Sequence, residues 1–225
     1  MEGNVAYVGA SLEIAPPGVV AIPVLKIVYR DLSGLRRINT PIALTSKRSV
    51  ISLKMSRVAI NTKSAYCIGS ETSQYLRTLY SLDCLVPESQ NSEGLARMIV
   101  SKERKVTVVG SNRTSKQLLS NLKNGGVEVI FIPAYYIEEN ENVEYHDIEK
   151  VKKILVGSSF SFEILNRRAK DLIKGKKIYA IGKPTYVTMV NLSFNPEGYF
   201  VRPSIYEILD ILLNDSEKDS LLRDP

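Results

Sequence analysis

Short runs rich in Val, Ile and Ala recur along this chain, and most end in Gly, Ser or Thr. They are "VAYVGA", "VVAIPVLKIV", "PIALTS", "AYCIGS", "KVTVVGS", "VEVIFIPAYYI", "KILVGS" and "KIYAIGK". Apolar runs of this length without polar alternation describe strands covered on both faces. Helical spacings fill the intervals. Leu118, Leu119 and Leu122 line one face of "SKQLLSNLKNGG", which Gly125 and Gly126 stop. Phe162, Leu165, Ala169 and Leu172 line a second, with Arg167, Arg168, Lys170 and Lys174 near its C-terminus, where cations suit the helix dipole. Ile205, Ile208, Leu209 and Leu212 form a third. Buried strands alternating with helices predict an α/β fold with parallel sheets flanked by helices.

The pattern occurs twice. "IALTSKRSVISL" followed by "AYCIGSETSQYL" matches "KILVGSSFSFEIL" followed by "IYAIGKPTYVTMV". Gly69 follows Ser46 by 23 residues, and Gly182 follows Ser158 by 24. After each pair comes a proline-led helix start, in "VPESQNSEGLARMI" and in "VRPSIYEILDIL". Order, spacing and residue type agree over three elements, which indicates two similar domains. The element before the first repeat, "NVAYVGA…VVAIPVLKI", also resembles the one before the second, "KVTVVGS…VEVIFIPAYYI". Each ends in an extended segment suited to crossing between domains, so the chain can begin in one, build the other and return.

Composition narrows the chemistry. The 225 residues, 44% of them apolar, leave room for one large domain or two small ones. No signal peptide is expected, and no apolar run approaches the ~18 to 20 residues that span a membrane. Cys67 and Cys84 lie outside any CxxC spacing and read as two buried thiols of a cytosolic protein. His146, the only histidine, sits in "EENENVEYHDIEK" and reads as a surface residue. That argues against histidine-ligated zinc and against Ser-His or Cys-His nucleophiles. The net charge of +6 favours anions in general, but the basic residues are scattered.

In parallel sheets, ligands bind beyond the carboxyl ends of strands, where the first amides of the next helix lack intrahelical partners. "LTSKRS", "IGSETS", "VGSNRTS", "VGSSFS" and "IGKPT" are five such corners. One alone reads more simply as a helix cap; five together point to backbone donors arrayed for anions. None fits GxxxxGK[ST] or GxGxxG, which disfavours nucleotide sites. A ligand with dispersed carboxylates suits them best. Lys47, Arg48 and Arg113 add full charges, with ordinary solvated surface as the competing reading.

In ordered motifs running through nearly the whole chain, the sequence resembles the uroporphyrinogen-III synthase family. "ALTSKRSV", "CIGSETSQYL", "SEGL", "VTVVGSN…LLSNLKNGGVEV" with the tyrosine after it, "LVGSSFSFEIL", "AIGKPTYV" and "RPSIYEILDIL" follow the family's order. The resemblance implies two α/β domains joined by a two-stranded linker, with the active-site cleft between them. One domain is then residues 1–26 with 140–225, the other 31–134, and the linker strands lie near 23–30 and 132–139. It implies a cofactor-independent, metal-free lyase of tetrapyrrole biosynthesis, monomeric and cytoplasmic. Its substrate, hydroxymethylbilane, is a linear tetrapyrrole bearing eight carboxylates; the product is uroporphyrinogen III, formed with loss of water and inversion of ring D. The resemblance makes Tyr135 the acid that assists departure of the hydroxyl, with Tyr136 facing the other way. It assigns Thr45, Ser46, Thr72, Ser158, Ser159 and Thr185 to substrate binding. Two departures stand out. From Val8 to Gly18 there is too little chain for the family's first helix, and its arginine after the first strand is missing; Arg48 occupies an asparagine-like position. The alternative is a non-enzymatic two-domain binding or sensor protein on the same fold. A nucleic-acid binder lacks support from any basic helix or aromatic-and-basic sheet.

Overall fold

The computed structural model describes residues 5–201, 204–214 and 222–223. The chain divides into two compact units, residues 1–26 with 138–225 and residues 27–137. It opens in the first unit with β1 (Val5–Ala10), and the long β2 (Val19–Tyr29) then runs into the second. There follow β3 (Arg37–Ile38), β4 (Ile42–Leu44), α1 (Lys47–Met55), β5 (Ala59–Ile60), β6 (Ala65–Cys67), α2 (Ser70–Tyr80), α3 (Ser92–Val100), β7 (Lys105–Ser111) and α4 (Lys116–Asn124). A second long strand, β8 (Glu128–Glu139), leads back to β9 (Lys153–Val156), α5 (Ser159–Arg168), β10 (Lys177–Ala180), α6 (Lys183–Asn191), β11 (Gly198–Phe200), α7 (Ile205–Leu213) and β12 (Leu222–Arg223). Every strand read from the sequence is present.

Within the second unit the strand order is β8-β7-β4-β6, all parallel. Side chains of β4 alternate between two cores. Ile42 and Leu44 join Val50 and Leu53 of α1 and Leu76 of α2, while Ala43 joins Leu95 and Ile99 of α3 and Leu118 and Leu122 of α4. Both faces are covered, which is why these runs carry no polar alternation. Removing one such side chain, as in Leu53→Ala, costs about 2–5 kcal/mol. α1 also turns a row of serines toward the sheet. Ser49 Oγ donates to Val109 O at 2.9 Å and Ser52 Oγ to Ala134 O at 2.6 Å, so both buried hydroxyls are satisfied.

Within the first unit the order is β2-β1-β9-β10-β11-β12, parallel except for the last pair. Val5, Tyr7, Leu155 and Phe200 pack with Ile208, Leu209 and Leu212 of α7 on one face. Parallel neighbours are normally joined by a crossover of a dozen or more residues. Here β1 and β2 are joined by residues 11–18 alone, with no helix, in keeping with the short interval in the sequence.

The structure corrects several expectations. Cys67 and Cys84 are not free thiols but a disulfide, with Cα atoms 6.0 Å apart. The crossover after α2 makes the pair: Leu85 returns beside β6, its N–H donating to Ala65 O and its carbonyl accepting from Cys67 N at 2.9 Å. Spacing in sequence carries no trace of such an encounter. α5 stops at Arg168, capped by Ala169, so Leu172 lies beyond the helix whose face it was expected to share. α3 starts at Ser92 behind an Asn91 cap, well after Pro87. Pro203 of the other expected proline-led start lies outside the described residues. Of residues 214–225 only Asn214 and Leu222–Arg223 are described, the latter pairing with β11. α4 ends as read, with Gly125 as its cap and Gly126 at φ +77°, where glycine carries no Cβ penalty. No helix among the described residues is long and apolar enough to cross a membrane.

Candidate functional site

In the second unit, β4 gives way to α1 through Thr45 and Ser46. Ser46 is extended (φ −171°, ψ 163°), and its Oγ accepts from Ser49 N at 3.3 Å. Lys47 and Arg48 occupy the first turn, which holds no acidic residue. Cations at the positive end of a helix cost rather than contribute stability, typically about 0.3–1 kcal/mol each. Such a cost at a strand–helix corner suits a site that awaits an anion. The next corner places Gly69, extended and without a side-chain cap, ahead of α2. Residues 45–48 and 68–72, with Gln90, enclose a cavity of about 320 Å³. Five of the residues assigned from the sequence therefore meet here: Thr45, Ser46, Lys47, Arg48 and Thr72.

Tyr135 stands behind this wall. It is 4% exposed, and its hydroxyl lies 2.8 Å from Ser46 Oγ in a hydrogen bond that either group can donate. Tyr136 is turned away, its ring 5.6 Å from the Arg30 guanidinium. Three residues not singled out in the sequence complete the surroundings. Tyr29 packs 6.3 Å from Tyr135, centroid to centroid; burial raises its phenol pKa, while Arg48 pulls the other way. Glu71 accepts from Lys47 Nζ at 2.9 Å. Gln90 Oε1 accepts from Ser70 N at 3.0 Å. The only sequence signal for any of them was Glu71's place within "IGSETS". Arg113 does not line the cavity: it sits in the turn after β7, where its N–H donates to Ser111 Oγ.

The first unit repeats the corner nearly angle for angle. Ser158 (φ −169°, ψ 160°) accepts from Ser161 N at 3.1 Å, as Ser46 does from Ser49. Gly182 (φ −169°, ψ 170°) stands ahead of α6 as Gly69 (φ −161°, ψ 172°) does ahead of α2. Ser159 Oγ donates to Pro184 O at 3.2 Å and accepts from Thr188 Oγ1 at 2.8 Å, which ties the start of α5 to that of α6. Thr185 is buried in the first turn of α6. The structure thus gathers Ser158, Ser159 and Thr185 at one end of this unit. Among the described residues, no group of three or more His, Cys, Asp or Glu could hold a metal ion.

Parallel sheets flanked by helices, with paired serine-capped and glycine-led strand–helix corners in each unit, define an α/β protein of two alike units. The family profile of uroporphyrinogen-III synthase HemD matches residues 12–202, and the chain belongs to that family. It is accordingly an enzyme of tetrapyrrole biosynthesis that cyclises hydroxymethylbilane to uroporphyrinogen III. The match begins only after β1. Two solved structures share the fold. A uroporphyrinogen III synthase mutant from the extremely thermophilic bacterium Thermus thermophilus has 13% identity and a TM-score of 0.59, with 95% of this chain and 100% of that one covered. The uroporphyrinogen-III synthetase of Helicobacter pylori has 14% identity and a TM-score of 0.62, with 94% and 99% covered. No curated protein matches by sequence. Neither the profile nor the folds favour the non-enzymatic binder.

Proposed function

We propose that the corner of the second unit binds a carboxylate of hydroxymethylbilane and that Tyr135 supplies the proton with which its hydroxyl departs. The observation that carries this reading is the hydrogen bond between Tyr135 and Ser46, at the start of α1 beside Lys47 and Arg48. Hydroxide is a poor leaving group, and a positioned acid typically contributes ~10²- to 10⁴-fold. The C–O bond breaks with its electron pair on oxygen, the phenol donates its proton, and water leaves. The cation left on the chain is attacked by the substituted carbon of ring D to give a spiro intermediate. The bond from that carbon to its original methylene bridge then breaks, and the unsubstituted carbon of ring D closes on the methylene so freed. The proton lost as the ring closes returns to the phenolate, so the balance is one water. Ser46 fits the role of relay, since its oxygen already accepts from a helix amide and its own proton can serve Tyr135.

Positioning is the larger task, because simple closure competes with inversion. Thr45 and Thr72 in the same corner, and Ser158, Ser159 and Thr185 in the first unit, take further carboxylates, chiefly through backbone amides. Arg113 adds charge from the turn after β7. In this reading, residues 1–26 with 140–225 and 31–134 act as the two substrate-holding domains, linked near 23–30 and 132–139. The enzyme works as a cytoplasmic monomer, for which size exclusion should give one species near 25.1 kDa. The deciding experiment incubates the protein with fresh hydroxymethylbilane, oxidises the product and separates the uroporphyrin isomers. Type III in proportion to protein, cut ten- to a hundredfold by Tyr135→Phe but less by Tyr136→Phe, supports the assignment. Equal activity of Tyr135→Phe and wild type would overturn it.

A further inference from the structure

The two groups in the second unit's corner best suited to a carboxylate are both engaged by the protein itself. Gln90 Oε1 takes the amide of Ser70, the first residue of α2, and stands 3.4 Å from its hydroxyl. Glu71 takes the ammonium of Lys47. Gly69 makes the first contact possible, since a Cβ there would stand 2.8 Å from Gln90 Oε1. Among the described residues, the matching start in the first unit shows no such contact. A Cβ on Gly182 would find nothing nearer than Pro184 Cδ at 3.9 Å and Phe200 O at 4.0 Å.

Gln90 is exposed, yet its backbone is fastened on both sides. Upstream, the disulfide and the pairing of Leu85 hold the segment to β6, and Pro87 is buried. Downstream, Asn91 caps α3, its Oδ1 accepting from Gly94 N at 2.9 Å. A fixed backbone with a rotatable, exposed side chain is suited to an exchangeable contact. An amide oxygen is a neutral copy of a carboxylate oxygen: it satisfies an orphan helix N–H without the added strength that charge gives.

We propose that Gln90 is the protein's own stand-in for a substrate carboxylate, a specificity-determining residue that occupies the Ser70 amide until a charged group displaces it. The inference rests on reading this corner as a carboxylate site. Gln90 thereby raises the threshold for entry: a neutral or singly bound chain does not repay the lost hydrogen bond, whereas a carboxylate with Lys47 nearby does.

The test is steady-state kinetics with hydroxymethylbilane on wild type, Gln90→Ala, Gln90→Glu and Ser70→Pro. Gln90→Ala should lower KM about three- to tenfold, the worth of one neutral hydrogen bond, and leave kcat within about twofold. Gln90→Glu should move KM the opposite way, since a fixed carboxylate holds the amide more tightly and repels the incoming one. Ser70→Pro removes the amide itself. Proline is well tolerated at the first helical position, and the extended Gly69 before it is compatible, so this variant should fold. A KM unchanged or raised in Gln90→Ala, with Ser70→Pro raising KM, would sink the stand-in while sparing the site. A KM unchanged in Ser70→Pro would sink the site and the stand-in together.

Discussion

The two units are the same construction finished differently. β8-β7-β4-β6 in one answers to β2-β1-β9-β10 in the other, and both set a serine-capped helix after the third strand of that order and a glycine-led helix after the fourth. The differences lie at the corners and in one crossover. β7 and β8 are joined through α4, whereas β1 and β2 are joined by residues 11–18. Each corner also has a buried tyrosine, entering from a different strand. Tyr135 bonds to the capping Ser46. Tyr7 lies along the sheet instead, its hydroxyl 2.5 Å from where a Cβ of either Gly9 or Gly157 would be. A shared backbone thus fixes where amides point, while the side chains decide what each corner does with them.

The sharpest break in that symmetry is the disulfide, which only the second unit has. Its span of 17 residues corresponds to about 3 kcal/mol in the chain-entropy account. Reduction should lower the protection of amides in the second unit in hydrogen exchange and leave those around β9 and β10 unchanged. Uniform loss in both units would show that they unfold as one. Next in size is the contrast of tyrosines. Tyr135→Phe should lower kcat ten- to a hundredfold, about 1.4–2.7 kcal/mol of barrier, while Tyr7→Phe stays within about twofold. Comparable losses would place Tyr7 in the chemistry.

Gly157→Ala asks whether the Tyr7 slot is as tight as the geometry states. Overpacking of this kind costs about 1–3 kcal/mol, and removing the phenol oxygen by Tyr7→Phe should recover part of it in the double variant. Additive losses in urea unfolding would mean that the two do not meet. The smallest effect belongs to a feature of the first unit alone. Glu139 accepts from both Arg168 and Arg167, and the Arg168 hydrogen bond foremost holds its carboxyl below the usual range. A depressed carboxylate contributes stability above its ordinary pKa of 4.5 and loses it as pH falls through the lower folded value. The gap in urea midpoint between wild type and Glu139→Gln should therefore be present at pH 7 and close toward pH 3. A gap that does not change with pH would mean the contact acts through packing alone.

Eight strand runs, the serine caps of α1 and α5, the glycine stop of α4 and the corner repeat were legible in the sequence, because hydrophobic period and capping chemistry act over a few neighbouring residues. Ser46 and Ser158 announce their helices locally, and the brevity of residues 11–18 already excluded a helix there. The helical spacing of Phe162, Leu165, Ala169 and Leu172 ran past the true end of α5, since periodicity marks a face but not where the chain leaves it. The Cys67–Cys84 bond, the seat of Ser49 on Val109 and the hold of Gln90 on Ser70 had no local signature at all. Each joins residues that meet only after a crossover has closed, and tertiary packing alone sets that meeting. The sequence by itself determined that this chain builds capped strand–helix corners twice; only the tertiary structure decided that Gln90 occupies the amide of Ser70 at one of them.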